Sequence, residues 1–510
     1  MSVPSGTRAR HDIAPRLVSR TMTLLRAFLF LAATLATLAA RPPNILFVLT
    51  DDQGSSSISC YGGTHVATPH LDSLARDGVQ FTAAYVMPQC TPTRAALLSG
   101  QHTARNGMWH VIPWYGLPWA PVAEPMFREQ FPRDAFNLAK GLRAAGYATG
   151  IFGKWHLTTG ADGDYAALKP AAGPAYGFDY VAPRGPGTQN DGDKWVDHLT
   201  DETLAFARRQ GDRPWFAYLA HHTLHGKVSA PPALVAKYRA RGAPEEGLHN
   251  ATYLAAIEHL DTAMGRLLAG LDQMGRRSDT MVVFLTDNGG VDTSWQQPER
   301  RDGDDPVGLQ LVQREQHFAS APLRAGKGSA YEGGIRVPCL VRWPGVAKSG
   351  LVSTEPVHVI DWLPTLLAAA GTSAPAGHVV DGVDLRPALR GEPLSARALY
   401  WYLPLYDLRW AAAPSAVIRE GDWKLIEHFG DSFDAAQRYR PGRKLELFNL
   451  RADLGETDDR AAAEPERARA LSARLHAWIK SIPAEIPGPN PHTDRAKRFT
   501  ESRVKQPWNR

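Results

Sequence analysis

The chain has 510 residues, 44% of them hydrophobic and 21% charged, with a formal net charge of +5. These proportions are those of a soluble globular protein, and the length exceeds one ordinary core, so a large domain with a smaller one is expected. The small positive charge suits an anionic substrate; without a lysine-rich run or a nucleic-acid-reading motif it gives no support to a DNA or RNA partner.

The first feature along the chain is residues 22–40, where a short positive stretch leads through an apolar core to small residues. This is the pattern of a secretory signal peptide, too short for a comfortable membrane span, with an uncleaved anchor as the alternative. Met22 is itself a candidate start, and no cysteine follows the apolar run to carry a lipid. An exported protein is expected, periplasmic or secreted, with no stable membrane association. Cys60, Cys90 and Cys339 are too sparse for a disulfide framework, so Cys60 and Cys339 either pair or are simply buried.

Residues 44–50 form a continuous apolar run, as for a strand buried on both faces, and end on Asp51 and Asp52. Adjacent carboxylates at the carboxyl end of such a strand repel unless something positive lies between them, and ligands bind at this end of open α/β sheets. A polar turn is the alternative. Residues 68–78 read as a helix with Pro69 in its first turn, and residues 79–86 as a strand feeding into Cys90. In residues 90–100, Pro92 suits a first helical turn, Ala95 to Leu98 favour helix, and Gly100 suits its end. Cys90 is then expected just before a helix N-terminus, where free amides and the helix dipole attract anions, with Arg94 one turn on. A free thiol there is expected to ionise to a reactive thiolate; a buried, inert cysteine is the alternative.

Helical spacing continues over residues 133–145. A strand over 147–152 then ends in Gly153, Lys154, Trp155 and His156. A strand over 214–219 ends in His221, His222 and His225. A long helix over 250–271 has Asn250 as its cap, and Asn250 also opens a formal glycosylation sequon. A strand over 280–286 closes on Asp287 and Asn288. Trp109, Trp114, Tyr115 and Trp119 lie between elements and suit either the core or a platform for stacking sugars.

Strands alternating with helices, with polar groups at the strand ends, predict an α/β fold with a large, mostly parallel (mixed) sheet sandwiched by helices. From residue 396 short strands over 415–419, 423–427 and 444–450 precede an alanine- and arginine-rich helix over 465–479. They predict a smaller C-terminal antiparallel sheet plus helix. The expected organisation is a signal region (1–40), an α/β catalytic domain (41–395), an α+β subdomain (396–485) and a basic, proline-containing tail (486–510), either poorly ordered or a strap.

The spacing Cys90-x-Pro92-x-Arg94, followed by a small-residue helix and Ser99-Gly100, resembles the formylglycine-dependent (type I) sulfatases of the alkaline-phosphatase superfamily. The resemblance extends over about residues 43–480, through Asp51-Asp52, Lys154 to His156, His225, Asp287-Asn288, residues 324–328 and 332–338, and residues 447–456. It implies that a separate maturation enzyme oxidises Cys90 to formylglycine. It also implies a cation held by Asp51, Asp52, Asp287, Asn288 and an oxygen of residue 90. Those donors are all hard oxygens, which match calcium or magnesium. Lys154 and Lys327 would neutralise a sulfate ester and Arg94 would hold the hydrated aldehyde. His225 would protonate the departing alcohol, and His156 would deprotonate the second hydroxyl that releases sulfate.

Two departures stand out. Lys227 occupies the place of a family proline, so His221 and His222 compete with His225, and residues 291–321 are longer and more charged than the family pattern, as for a loop over the site. The implied activity is hydrolysis of an aryl or carbohydrate sulfate. A phosphonate-monoester or phosphodiester hydrolase of the same superfamily is the alternative, and a non-catalytic binder of sulfated glycans the third reading.

Overall fold

The computed structural model describes residues 1–2, 41–114, 116–296, 309–494 and 496–500. The expected signal segment and Tyr115 lie outside them. The main folded unit begins at Pro43, and among the described residues no helix is long and apolar enough to cross a membrane.

The first strand, β1 (Asn44–Thr50), is buried along its whole length. Its alternate side chains serve two cores: Ile45, Phe47 and Leu49 face one, Leu46 and Val48 the other. The first core is closed by the helices Cys90–Ser99, Leu138–Ala144 and Trp362–Ala369. The second is closed by Pro69–Arg76, Val196–Arg209 and Ala251–Gln273. Each large apolar side chain so buried contributes roughly 2 kcal/mol.

The remaining strands of this sheet are β2 (Val79–Tyr85), β3 (Ala148–Gly153), β4 (Tyr180–Val181), β5 (Trp215–Ala220) and β6 (Thr280–Thr286). After a separate hairpin, β7 (Thr293–Gln296) with β8 (Val312–Gln316), come β9 (Arg336–Arg342), β10 (Leu351–Ser353) and β11 (Val357–His358). The spatial order is β10-β2-β9-β6-β1-β5-β3-β4, with β11 also on β2. β9 runs antiparallel to both β2 and β6, and the other pairings are parallel. The mixed, mostly parallel sheet is thus as expected. The start of β9, rather than its end, lies beside the carboxyl ends of its neighbours, and this delivers residues 324–335 to the same edge.

Further on, β12 (Ala398–Leu403), β13 (Ser415–Glu420), β14 (Trp423–His428) and, after the two-residue pair β15 (Ser432–Phe433) and β16 (Tyr439–Arg440), β17 (Lys444–Asn449) supply the smaller sheet. β12, β13, β14 and β17 pair antiparallel in that order. The helix Pro465–Lys480 covers it, with Leu471, Leu475 and Ile479 packed in one core with Ile418, Leu425 and Leu447.

Several local expectations need correction. The helix foreseen from residue 133 starts only at Leu138, because the Asn137 side chain accepts from Lys140 N at 3.0 Å and caps it there. The other cap holds: Asn250 accepts from Tyr253 N at 3.0 Å and is itself buried. All three cysteines are free, so Cys60 and Cys339 do not pair. The described part of the tail, up to residue 500, is a strap: Ala123 N donates to Gly488 O at 3.0 Å, Asn490 donates to the Pro118 and Ala120 carbonyls, and Phe499 is buried in the C-terminal core.

Candidate active site

Every expected group stands at the carboxyl edge of the large sheet. Backbone pairing continues past the strand ends and ties the loops together. Asp287 N donates to Thr50 O (3.1 Å), Lys154 N to Ala220 O (2.8 Å), and Asp51 N to Thr223 O (2.9 Å), with Leu224 N returning to Asp51 O (2.5 Å). Asp52 (φ 58°) and His156 (φ 52°) adopt left-handed backbone, which L-residues sustain only where the surroundings impose it, at about 1–3 kcal/mol each. Trp155, between Lys154 and His156, points into the core, so its two neighbours face the site. A side chain on Gly289 would lie 1.7 Å from Gly333 O, which is why the turn after Asn288 interlocks with the one before β9 through glycine.

Asp51, Asp52 and Asp287 meet Arg94, Lys154 and Lys327 in a cluster that is almost wholly buried. Lys154 pairs with Asp51, and Lys327 Nζ lies 2.8 Å from Asp52. Asn288 Nδ2 donates to Asp52 Oδ1 at 2.7 Å. Arg94 gives Nε and Nη2 to Asp287 Oδ2 at 3.1 and 2.7 Å and Nη1 to the Lys154 carbonyl at 3.1 Å. Its guanidinium therefore orients Asp287 and the lysine turn.

Cys90 opens its helix, with Gln89 as cap residue and Gly100 closing it at φ 64°. The thiol lies 3.5 Å from Asp51 Oδ1. Burial, then Asp287 and Asp51, push the thiol pKa far up. The expected reactive thiolate is thus overturned: burial and the two acids outweigh the two lysines, and Arg94 is turned to Asp287.

Ligand atoms of Asp51, Asp52, Cys90 and Asp287 all lie within 4.8 Å of one another. Asn288 Oδ1 is buried without a hydrogen-bond partner. Burial, then Asp51, raise the pKa of Asp287 against the pull of Arg94, Lys154 and Lys327. An oxygen-rich donor set with an orphaned amide oxygen fits a hard divalent cation.

Cys90, Asp51 and His225 likewise offer ligand atoms within 4.8 Å of one another. His225 lines a cavity of about 390 Å³ with Asp52, His156 and Lys327, whereas His221 and His222 are buried behind it. Burial, then Lys327 and Lys154, lower the His225 pKa, and burial with Lys154 does the same to His156. His156 Nε2 meets the Ile112 carbonyl at 2.9 Å. A carbonyl only accepts, so Nε2 carries the proton and the unpartnered Nδ1 keeps its lone pair.

Sequence reasoning missed Tyr165, whose ring lies 4.4 Å from Lys154 Nζ and packs on His156 and His225. It also missed buried Lys194, whose pKa burial lowers to about 8. Neither sits in a recognisable pattern. Trp109 and Trp114 belong to the C-terminal core, and Trp119 lies under the strap beside Asp494. Trp410, which no pattern marked, lines the cavity instead, next to Lys327 (5.5 Å) and close over Gly328. The described parts of the 291–321 segment form the β7/β8 hairpin, whose Ser294, Arg314 and Glu315 wall the same cavity.

Comparisons with known proteins agree. The Sulfatase family model matches residues 43–372, and the model for the C-terminal region of N-sulphoglucosamine sulphohydrolase matches residues 326–482. Human arylsulfatase A is 33% identical over 415 residues, 74% of this chain and 73% of that protein. A sulfatase of Formosa agariphila is 30% identical over 530 residues, 86% of this chain and 89% of that one. The crystal structure of Ps i-CgsB with k-i-k-neocarrahexaose shares the fold at TM-score 0.66 and 23% identity, covering 86% of this chain and 93% of that one. With the family model spanning most of the chain and a relative one-third identical across nearly three-quarters of it, the protein belongs to the sulfatase family.

Proposed function

We propose that this sulfatase works through a formylglycine made from Cys90 by a separate maturation enzyme, and that its substrate is a carbohydrate sulfate. A divalent cation, calcium or magnesium, would be held by Asp51, Asp52, Asp287, Asn288 and residue 90. The observation that carries the reading is the convergence of these oxygens, Cys90, two lysines and two histidines on one buried cluster under a cavity. The cation supplies positive charge against a sulfate ester, and the hydrated aldehyde supplies an oxygen nucleophile with a second hydroxyl.

The chain's own residues then have distinct tasks. Lys154 and Lys327 receive the non-reacting sulfate oxygens, and Arg94 fixes Asp287. His156 Nδ1, a bare lone pair, accepts the proton of the second hydroxyl. His225, with Lys327, donates to the departing alcohol. Burial first and then the lysine charges hold the His225 pKa down, and an arriving sulfate opposes the second of these.

The cavity wall favours a sugar as leaving group. Trp410 supplies a flat apolar face, Arg314 donates and Glu315 accepts, a mixture that ring hydroxyls satisfy and an aromatic body leaves unpaired. Ps i-CgsB, which shares the fold, binds neocarrahexaose. The decisive measurement is parallel release of sulfate from defined sulfated glycans and an aryl sulfate, and of product from a phosphonate monoester and a phosphodiester. Glycan sulfates should be turned over fastest; faster phosphonate hydrolysis would replace the reading with the superfamily alternative. Mass spectrometry of the peptide holding residue 90 should show an aldehyde, and full turnover by protein carrying only thiol there would sink the mechanism.

A further inference from the structure

At the sheet edge opposite the active site, a cavity of about 600 Å³ lies between the turns that precede β2, β6 and β10 and the end of β9. Arg342, the last residue of β9, lines it and is 3% exposed. Among the described residues three arginines are buried. Arg94 is held by Asp287 and Arg419 donates to the Tyr85 hydroxyl at 2.5 Å, but Nε and Nη2 of Arg342 have no acceptor and its guanidinium makes no ion pair with any described residue.

The acids nearby are already engaged. Arg277, on the same cavity wall, gives Nη2 to Asp77 at 2.6 Å and Nη1 to Asp272 at 3.1 Å. Burial, then Arg277, push the Arg342 pKa below its ordinary value, as expected where positive charge lacks a counterion. Nε and Nη2 are themselves enclosed, so a partner for this costly buried charge, water or an anion, would meet the part of the guanidinium that lines the cavity. The planar fork of an arginine matches the paired oxygens of an oxyanion. Pro344 and Ala347 give the wall an apolar part, while Ser278, Ser349 and Asp77, the last engaged by Arg277, also line it.

We propose that this cavity is an oxyanion site separate from the catalytic cluster, in which Arg342 holds a sulfate, phosphate or carboxylate group. The site is independent of the proposed mechanism. The test compares mature wild-type enzyme with Arg342→Met and Arg342→Lys. Melting temperature is followed against sodium sulfate, phosphate and acetate, each matched to sodium chloride at equal ionic strength, and crystals are soaked in selenate.

Wild type should gain roughly 3 °C from at least one of the three anions beyond what Arg342→Met gains, and the favoured anion identifies the ligand class. A selenate anomalous peak should lie about 3 Å from the Arg342 nitrogens and vanish in Arg342→Met. Catalytic-site binding contributes equally to all three proteins and cancels. Equal anion responses in wild type and variants would overturn the proposal, because water alone then solvates the guanidinium. Selenate density without a solution shift would overturn it too, as an adventitious ion only. If Arg342→Met fails to fold, Arg342→Lys and the wild-type crystals decide.

Discussion

Two nests of buried charge lie at or behind the same sheet edge, built from the same residue types and finished differently. In the nest that joins β9 to the C-terminal sheet, Glu332 accepts from the Tyr85 hydroxyl (2.7 Å), Arg336 (3.2 Å) and Lys424 (2.9 Å). Lys424 also lies 2.8 Å from Glu456, whose other oxygen takes the Glu332 amide at 2.6 Å. Each of these carboxylate oxygens has a hydrogen bond except Glu456 Oε1, which the Lys424 ammonium holds by charge alone. In the catalytic nest Asn288 Oδ1 and His156 Nδ1 have none, and the groups around them face a cavity. A completed network holds structure together, and one left open at a cavity is set to receive a ligand. This separates charged members of one sequence pattern: Lys327 belongs to the open nest, Glu332 and Glu456 to the closed one.

The comparison is broken most sharply by removing the open nest's proposed nucleophile. Cys90→Ala should lower kcat/KM for sulfate release by about three orders of magnitude or more while leaving the melting temperature at or above that of wild type. Loss of fold alongside activity would show that Cys90 supports the core instead.

Chelation should come next, lowering turnover by roughly 100-fold and reversibly. Added calcium should raise the melting temperature of the chelated protein, and should not do so in Asp51→Asn. A calcium effect that survives Asp51→Asn would move the cation elsewhere.

For the closed nest the effect should fall on stability. Lys424→Met leaves Glu332 and Glu456 buried without their shared cation and should cost about 3–5 kcal/mol in denaturant unfolding. Turnover per folded molecule should change by less than about twofold. A loss of turnover without a loss of stability would merge the two nests into one functional unit.

The smallest effect is one of pH. Burial, only partly offset by Lys424 and reinforced by Glu332, raises Glu456 from 4.5 to about 7, while Lys424 and neighbouring arginines hold Glu332 at about 2. A group with a raised folded pKa contributes stability in full below its unfolded pKa and loses it as pH rises through the folded one. The Glu456 contribution should therefore fade between pH 4.5 and 7, by roughly 2 kcal/mol, whereas that of Glu332 changes only as pH falls below 4.5. Glu456→Gln should flatten the unfolding free energy across that window, and an unchanged slope would assign the dependence to another group.

The sequence by itself determined β1 and β6 to the residue, the Cys90 helix with its Gly100 terminus, and the Asn250 cap. Each depends on neighbours within a few positions: a continuous apolar run, a proline in a first turn, a side chain reaching an amide three residues on. It also marked the acids, lysines and histidines that the sheet edge gathers. Tertiary structure alone decided what they meet. The antiparallel course of β9 brings Lys327 to Asp52, and His225, unlike His221 and His222, lies on the cavity wall beyond the pairing of residues 51 and 223–224. Packing against the C-terminal sheet sends Trp109 and Trp114 into the core and leaves Trp410 at the cavity. Burial among carboxylates keeps the Cys90 thiol protonated where helix position alone promised a thiolate. These outcomes turn on desolvation and on charges from segments hundreds of residues apart, and no local pattern encodes either.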